Sequence, residues 1–405
     1  MAAALYHAAP EPERPRRFRW ARCRPIYRYS CDTENMNDIS DFNPARLVLA
    51  RQRRGWTKKS LADATMLSSK TISLYENGDQ LPTDESLACI AQALGFPIPF
   101  FSGRYVEAPT EENASFRSFS RMTAGQRDAA LAAGGIAFML SDWIDSKYHL
   151  PVPSVPDCSG MDPEAAAEAV RAEWGLGQLP IKNLVHLLEL KGVRVFSLAE
   201  ETNQVNAFSC WRKGTTPFVF LNTQKSAEAS RFDAAHELGH LVLHRHGSNK
   251  GKEVESEANA FASAFLMPYQ SILAHGWSVN SVKDVVRAKK LWNVSAMALA
   301  YRLHKTGVLS EWVYRSMCIE LSTMGARTQE PEPSQRETSQ VLQKVLGLAR
   351  DAGRSLTGIA KELDVAVDDL IPILFSMAPV AISGDYATSP VLVPKRKPNL
   401  RLVKA

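Results

Sequence analysis

The sequence has no Cys-x-x-Cys pair. Its six cysteines, Cys23, Cys31, Cys89, Cys158, Cys210 and Cys318, are scattered over 405 residues without the close spacing of a disulfide framework. That usage excludes a disulfide-stapled or cysteine-ligated design and fits a reducing compartment in which thiols pack. Also missing is any uninterrupted apolar run of about 18 residues, the length a membrane-crossing helix requires. The N-terminus carries no hydrophobic stretch of the signal type, so a cytoplasmic protein with no membrane partner is expected. No repeat of solenoid length is present. Charge of one sign is scarce too: the net +5 permits contact with nucleic acid without demanding it. What the chain does have is 45% hydrophobic residues over a length that suits two to four domains, enough for a sizeable core.

Residues 1–42 read as a disordered leader. They are rich in arginine and proline without periodicity, and Met36, just ahead of the first ordered pattern, is the expected natural start; the alternative is a basic arm. Residues 43–103 alternate short helical patterns with polar turns. Residues 104–160 read as a linker with one long helix over 122–148, ended by Pro151, Pro153 and Pro156. From 161 to 326 helices flank β-branched and aromatic runs at Val193–Leu198, Val205–Trp211 and Pro217–Leu221, which predict a small sheet of about three strands. A charged, proline-bearing stretch from Arg327 to Glu337 precedes a helical segment reaching 378, and 379–405 is a basic tail. The chain as a whole is expected to be mostly α and multidomain.

Within 43–103, Pro44 starts a helix and Thr57 caps a second. A turn from Thr65 to Ser68 leads to a third helix, Ser69 to Asn77, closed by Gly78, where a left-handed residue is expected. Ile72 and Tyr75 pack. Ser69, Lys70, Thr71 and Ser73 remain on the outer face near the helix start, the positions that reach base edges or phosphates in a helix-turn-helix. Seven cations (Arg46, Arg51, Arg53, Arg54, Lys58, Lys59, Lys70) stand against three acids (Asp63, Glu76, Asp79), a local excess where a phosphate backbone needs it. A module of this kind can also serve protein contacts. The order Trp56-Thr57-x-x-x-Leu61-Ala62, then Thr71-Ile72-Ser73-x-Tyr75-Glu76-Asn77-Gly78, then Leu81-Pro82 and Leu87-Ala88-x-Ile90-Ala91-x-Ala93-Leu94 resembles the Cro/cI-type (XRE-like) repressor family. The resemblance implies a five-helix bundle that binds double-stranded DNA.

The run His236-Glu237-Leu238-Gly239-His240 lies in a helical pattern, so its two histidines are one turn apart on one face and can share a metal ion. Two neutral imidazoles and a carboxylate suit zinc, with a fourth position left for water at a catalytic site. Glu237 projects beside the metal, where it can take a proton from water and pass it to a leaving amine. Gly239 weakens a helix by about 1 kcal/mol relative to alanine, which points to a close backbone approach there. The third ligand should come from the next helix, where Glu255 and Glu257 border the apolar stripe Val254, Ala258, Phe261, Phe265, one on each side. Periodicity does not choose between them. His244, Asn259, Tyr269 and Asp233 are further polar residues near this face, His244 as a group behind the ligands or an oxyanion donor and Asp233 as one that could orient a ligand imidazole.

The pairing of His-Glu-Leu-Gly-His-Leu-Val-Leu-His with Glu257-Ala258-Asn259-x-Phe261-Ala262-x-x-Phe265-Leu266-Met267-Pro268 resembles the ImmA/IrrE metallopeptidase family, as do Asn206-Ala207-Phe208-Ser209 and Pro217–Asn222. The resemblance spans roughly 163–315. It implies that Glu257, directly before Ala-Asn, is the third zinc ligand, that the fold is a gluzincin-like α+β domain with a small sheet, and that a repressor-type protein is cleaved. An extended peptide could add to the edge strand near Val205–Ser209. Farther on, Lys289–Leu303 resembles the winged-helix-like element that follows this peptidase core. Residues 356–375 repeat its layout, but Asp368 and Asp369 would repel phosphate, so that segment is expected to pack or to dimerise the chain. Together these features predict a DNA-binding regulator carrying a zinc endopeptidase. The competing expectation is a non-proteolytic regulator whose metal domain senses or binds a partner.

Overall fold

The computed structural model describes residues 42–111, 113–116, 122–198, 207–246, 251–275, 279, 281–326 and 328–378. Residues 1–41 of the leader, Met36 among them, the basic tail and the Val205–Asn206 end of the expected edge strand lie outside the described residues.

Four helices open the fold: α1 Pro44–Arg53, α2 Lys58–Thr65, α3 Ser69–Asn77 and α4 Asp84–Leu94, with a 3-10 turn over Ile98–Ser102 in the place of a fifth. Side chains of Asn43, Thr57, Ser68 and Thr83 each accept a backbone N–H at a helix start, which satisfies donors a helix leaves orphaned. Gly78 closes α3 at φ +79°, a left-handed conformation in which a side chain is strained. Leu47, Leu61, Ile72, Ile90, Leu94 and Phe100 fill the centre of this bundle without solvent exposure.

After it come β1 Ala114–Phe116, α5 Ala124–Lys147, α6 Pro163–Glu173, α7 Leu184–Leu190, β2 Arg194–Ser197, β3 Phe208–Arg212, β4 Thr216–Leu221, α8 Ala227–Leu243 and α9 Lys252–Leu266. Four strands form one sheet in the order β1-β3-β4-β2, with β3 antiparallel to both β1 and β4 and β2 parallel to β4. Strand alternation divides the sheet. Phe208, Phe218 and Phe220 face α5, where the Phe138 ring lies 4.4 Å from that of Phe218. Ser209 faces α8. Each of these fully buried phenylalanines contributes about 1.5–3 kcal/mol over an exposed one.

The long helix is therefore no spacer. Helix α5 buries residues along its whole middle and packs on α1, on the sheet and on the C-terminal helices. A Cβ on Gly134 would sit 2.8 Å from Pro109 Cγ, and one on Gly135 3.0 Å from Leu49 Cδ1, so the pair lets the chain leaving the helical bundle lie directly on α5. Helix α9 approaches α8 as closely: a Cβ at Gly239 would meet Phe261 Cδ1 at 3.1 Å and the Ala258 backbone at 3.3 Å. That is the close approach Gly239 foretold.

Helices α10 Tyr269–Ala274, α11 Val282–Ala288, α12 Ala296–Lys305, α13 Glu311–Thr323, α14 Gln340–Asp351, α15 Leu356–Glu362 and α16 Val367–Leu374 complete the chain. The stretch expected as a second linker is tied down. Glu330 accepts the N–H of Ala296, and Glu337 pairs with Arg231 and accepts the N–H groups of Leu184 and Val185. The expected repulsion of phosphate by Asp369 gives way to a contact: its buried carboxylate takes both terminal nitrogens of Arg54 at 2.6 and 2.9 Å, joining α16 to the end of α1.

Candidate metal centre and nucleic-acid interface

Helix α8 is buried on nearly every side, and its two histidines face α9. His236 Nε2 and His240 Nε2 are 3.0 Å apart. Glu255 reaches them from α9, its carboxylate oxygens 3.3 Å from His236 Nε2 and 3.5 Å from His240 Nε2. Ligand atoms of the three residues lie within 4.8 Å of one another, as around a single ion. The other ring nitrogens are engaged. His236 Nδ1 donates to Asn259 Oδ1 at 3.2 Å, and His240 Nδ1 lies 3.1 Å from His244 Nδ1. Those partners orient the Nε2 atoms inward.

Glu257, the ligand expected from the resemblance, is not beside these nitrogens. Its carboxylate lies 2.8 Å from His244 Nε2, and its side chain is 41% exposed. The reason is helical geometry: Glu255 and Asn259 are four residues apart and share the face that meets α8, whereas Glu257 falls on another side of α9. His244, at the end of α8, thereby joins Glu257 to His240 in a chain of contacts. Asp233 pairs with Lys225 at 2.5 Å and does not orient a ligand imidazole. Tyr269 begins α10 with 39% of its surface exposed.

The donor set fits a metal ion. Burial pushes His240 down to about 4, so its imidazole is neutral near pH 7, the form that coordinates. Burial also opposes ionisation of Glu255, but its contacts with His236 and His240 outweigh that and hold its carboxyl down at about 2. Glu255 Oε2 is buried and finds no hydrogen-bond partner among the described residues, leaving a lone pair directed at the histidines.

Glu237 turns away from α9 towards the sheet. Its Oε2 accepts from the hydroxyls of Ser115 at 2.7 Å and Ser209 at 2.8 Å. Burial raises its carboxyl to about 7 against the opposing pull of His236 and the two serines. Ser209 stood in the strand expected from sequence. Ser115 did not: β1 is three residues long, too short for alternation to register.

On α3, Ser69 and Lys70 are exposed and Thr71 and Ser73 half-buried, with the Thr71 hydroxyl 2.8 Å from that of the cap, Ser68. Most of the basic excess faces elsewhere. Arg46 is buried over the Phe100 ring, Arg51 and Lys58 pair with Glu76, and Arg53 and Arg54 reach Asp369. Lys59 and Lys70 are the exposed members.

Two family models match segments of this chain. Residues 47–101 match a helix-turn-helix family, and residues 188–304 match the IrrE N-terminal-like domain of the M78 peptidases. The chain carries an XRE-type helix-turn-helix followed by an ImmA/IrrE-type peptidase domain, which together support a DNA-binding transcriptional regulator with a protease-like domain. No curated protein matches it. Among the described residues no helix is long and apolar enough to cross a membrane.

Proposed function

We propose that the protein is a cytoplasmic transcriptional regulator whose peptidase domain is a zinc-dependent endopeptidase of the gluzincin type. His236, His240 and Glu255 are its three protein ligands and Glu237 its general base. Convergence of two imidazole nitrogens and one carboxylate from adjacent helices, with a second carboxylate beside them but turned aside, is the observation that carries the reading. A structural site would have no use for that second carboxylate. Zinc, when bound, supplies a Lewis acid for water and for the scissile carbonyl. Glu237 takes the proton from the attacking water and delivers it to the leaving amine. Asn259 and His244 hold the imidazoles in register. The substrate is a protein, and a repressor-type partner suits a chain that also carries Ser69, Lys70, Thr71 and Ser73 towards double-stranded DNA.

The test is Glu237→Gln, which keeps the shape but cannot accept a proton. Zinc measured by plasma mass spectrometry should stay at the wild-type level while cleavage of fluorescein-labelled casein falls by about 10²–10⁴-fold. Unchanged cleavage by the glutamine variant would take the role of base from Glu237, and no cleavage by the zinc-loaded wild type would move the function to a non-proteolytic sensor.

A further inference from the structure

Strand β3 sets Ser209 against Glu237, and its outer edge is where an extended segment can add backbone to backbone. That edge is taken by β1, in the register Ala114 with Cys210, Ser115 with Ser209 and Phe116 with Phe208. The strand comes from the stretch between the DNA-binding module and α5, ahead of the matched peptidase segment at 188–304. Its attachment is short. It pairs three residues with β3 and is otherwise held there through the Ser115 hydroxyl, which accepts from the Ser209 N–H at 3.1 Å and lies 2.8 Å from the Ser209 hydroxyl. Yet the strand closes the site: Ala114 is fully buried and Ser115 is 1% exposed. The Ser115 hydroxyl also donates to Oε2 of Glu237, one of the two oxygens of the proposed base.

We infer that β1 is an internal occupant of the substrate edge: the outer side of β3 binds an extended segment of a protein substrate antiparallel to it, and residues 114–116 hold that edge closed until displaced. This rests on the peptidase reading above. A tethered competitor of this kind acts before chemistry. The binding-competent fraction is small while β1 is docked, so apparent affinity falls by that fraction and the chemical step, once substrate is seated, does not change. Tethering supplies β1 at an effective concentration on the order of millimolar, against which a substrate with more paired residues competes.

The experiment compares the zinc-loaded full chain with Ala114→Pro, which removes the N–H that Ala114 donates to the Thr110 carbonyl and disrupts the start of the strand, and Ala114→Asp, which puts a charge at a fully buried position of β1 away from Glu237. If Ala114→Pro fails to fold by circular dichroism, Ala114→Asp carries the comparison. Both should lower KM for fluorescein-labelled casein by about fivefold or more with kcat within about twofold of wild type. A second readout needs no catalysis. A fluorescein-labelled peptide of the sequence 107–116, followed by anisotropy after zinc is removed with EDTA, should bind the variants and not the wild type. Equal KM and equal peptide binding in all three proteins would overturn the inference while leaving the peptidase reading intact. Peptide binding confined to the variants, with no casein cleavage by any of them, would uphold the closed edge and sink the peptidase reading.

Discussion

Glu255 and Glu257 divide the work around the histidines. Two positions on, a helix has turned by about 200°, so the two carboxylates cannot reach one point; Glu255 faces the imidazole nitrogens while Glu257 holds His244. Replacing Glu255 with alanine should therefore strip zinc as completely as His236→Ala or His240→Ala. Glu257→Ala should keep full stoichiometry at saturating metal and lose about 10–100-fold in affinity, because it acts through His244 and His240. Competition with a chromophoric chelator measures both, and the reverse pattern would return Glu257 to the ligand set. The histidine pair and Glu237 between them were legible at once, since their spacing alone places them on one turn. Periodicity left Glu255 and Glu257 open because both border the apolar stripe, and the resemblance chose Glu257. What separates them is the register of α9 on α8, set where Gly239 admits the Ala258 backbone and the Phe261 ring, and no periodicity contains that register.

Helix α3 shows the same division between local and assembled information. Its caps, its left-handed Gly78 and its packed Ile72 and Tyr75 follow from the residues themselves. The count of basic residues around it gave a charge without a direction, and five of the seven cations turn inward or to acidic partners. That places an unusual share of phosphate attraction on the exposed Lys59 and Lys70. Lys70→Glu should accordingly abolish the mobility shift of DNA that the wild-type chain selects from a random pool, with zinc content unchanged. A shift as strong as wild type would take the DNA interface off this face. Strand β1 lies at the other extreme of legibility: three residues with no alternation gain their meaning from the strand they meet.

Across the whole molecule, the stretches that composition marks as linkers turn out to be joints. Proline and charge distinguish a linker from a core but do not reveal which acids are spoken for, and Glu330, Glu337 and Asp369 all are. The contact of Arg54 with Asp369 ties the DNA-binding module to the last helix. Asp369→Ala should destabilise the protein to urea by about 2 kcal/mol, the scale of a charge-assisted pair. In a double-mutant cycle with Arg54→Ala the two changes should fall short of additivity by 1 kcal/mol or more; additivity within about 0.5 kcal/mol would show the contact to be idle.

That joint also has a clock. Arg54 and Asp369 are 315 residues apart in the chain, and a ribosome adding about 5–20 residues each second needs roughly 15–60 s to make the distance. The four-helix module can fold soon after it emerges, but its guanidinium waits for a carboxylate that has not been synthesised. For that interval Arg54 of every nascent copy has only its contacts with the Leu94 carbonyl and the Phe96 ring, and the finished protein adds the Asp369 carboxylate only when translation reaches α16.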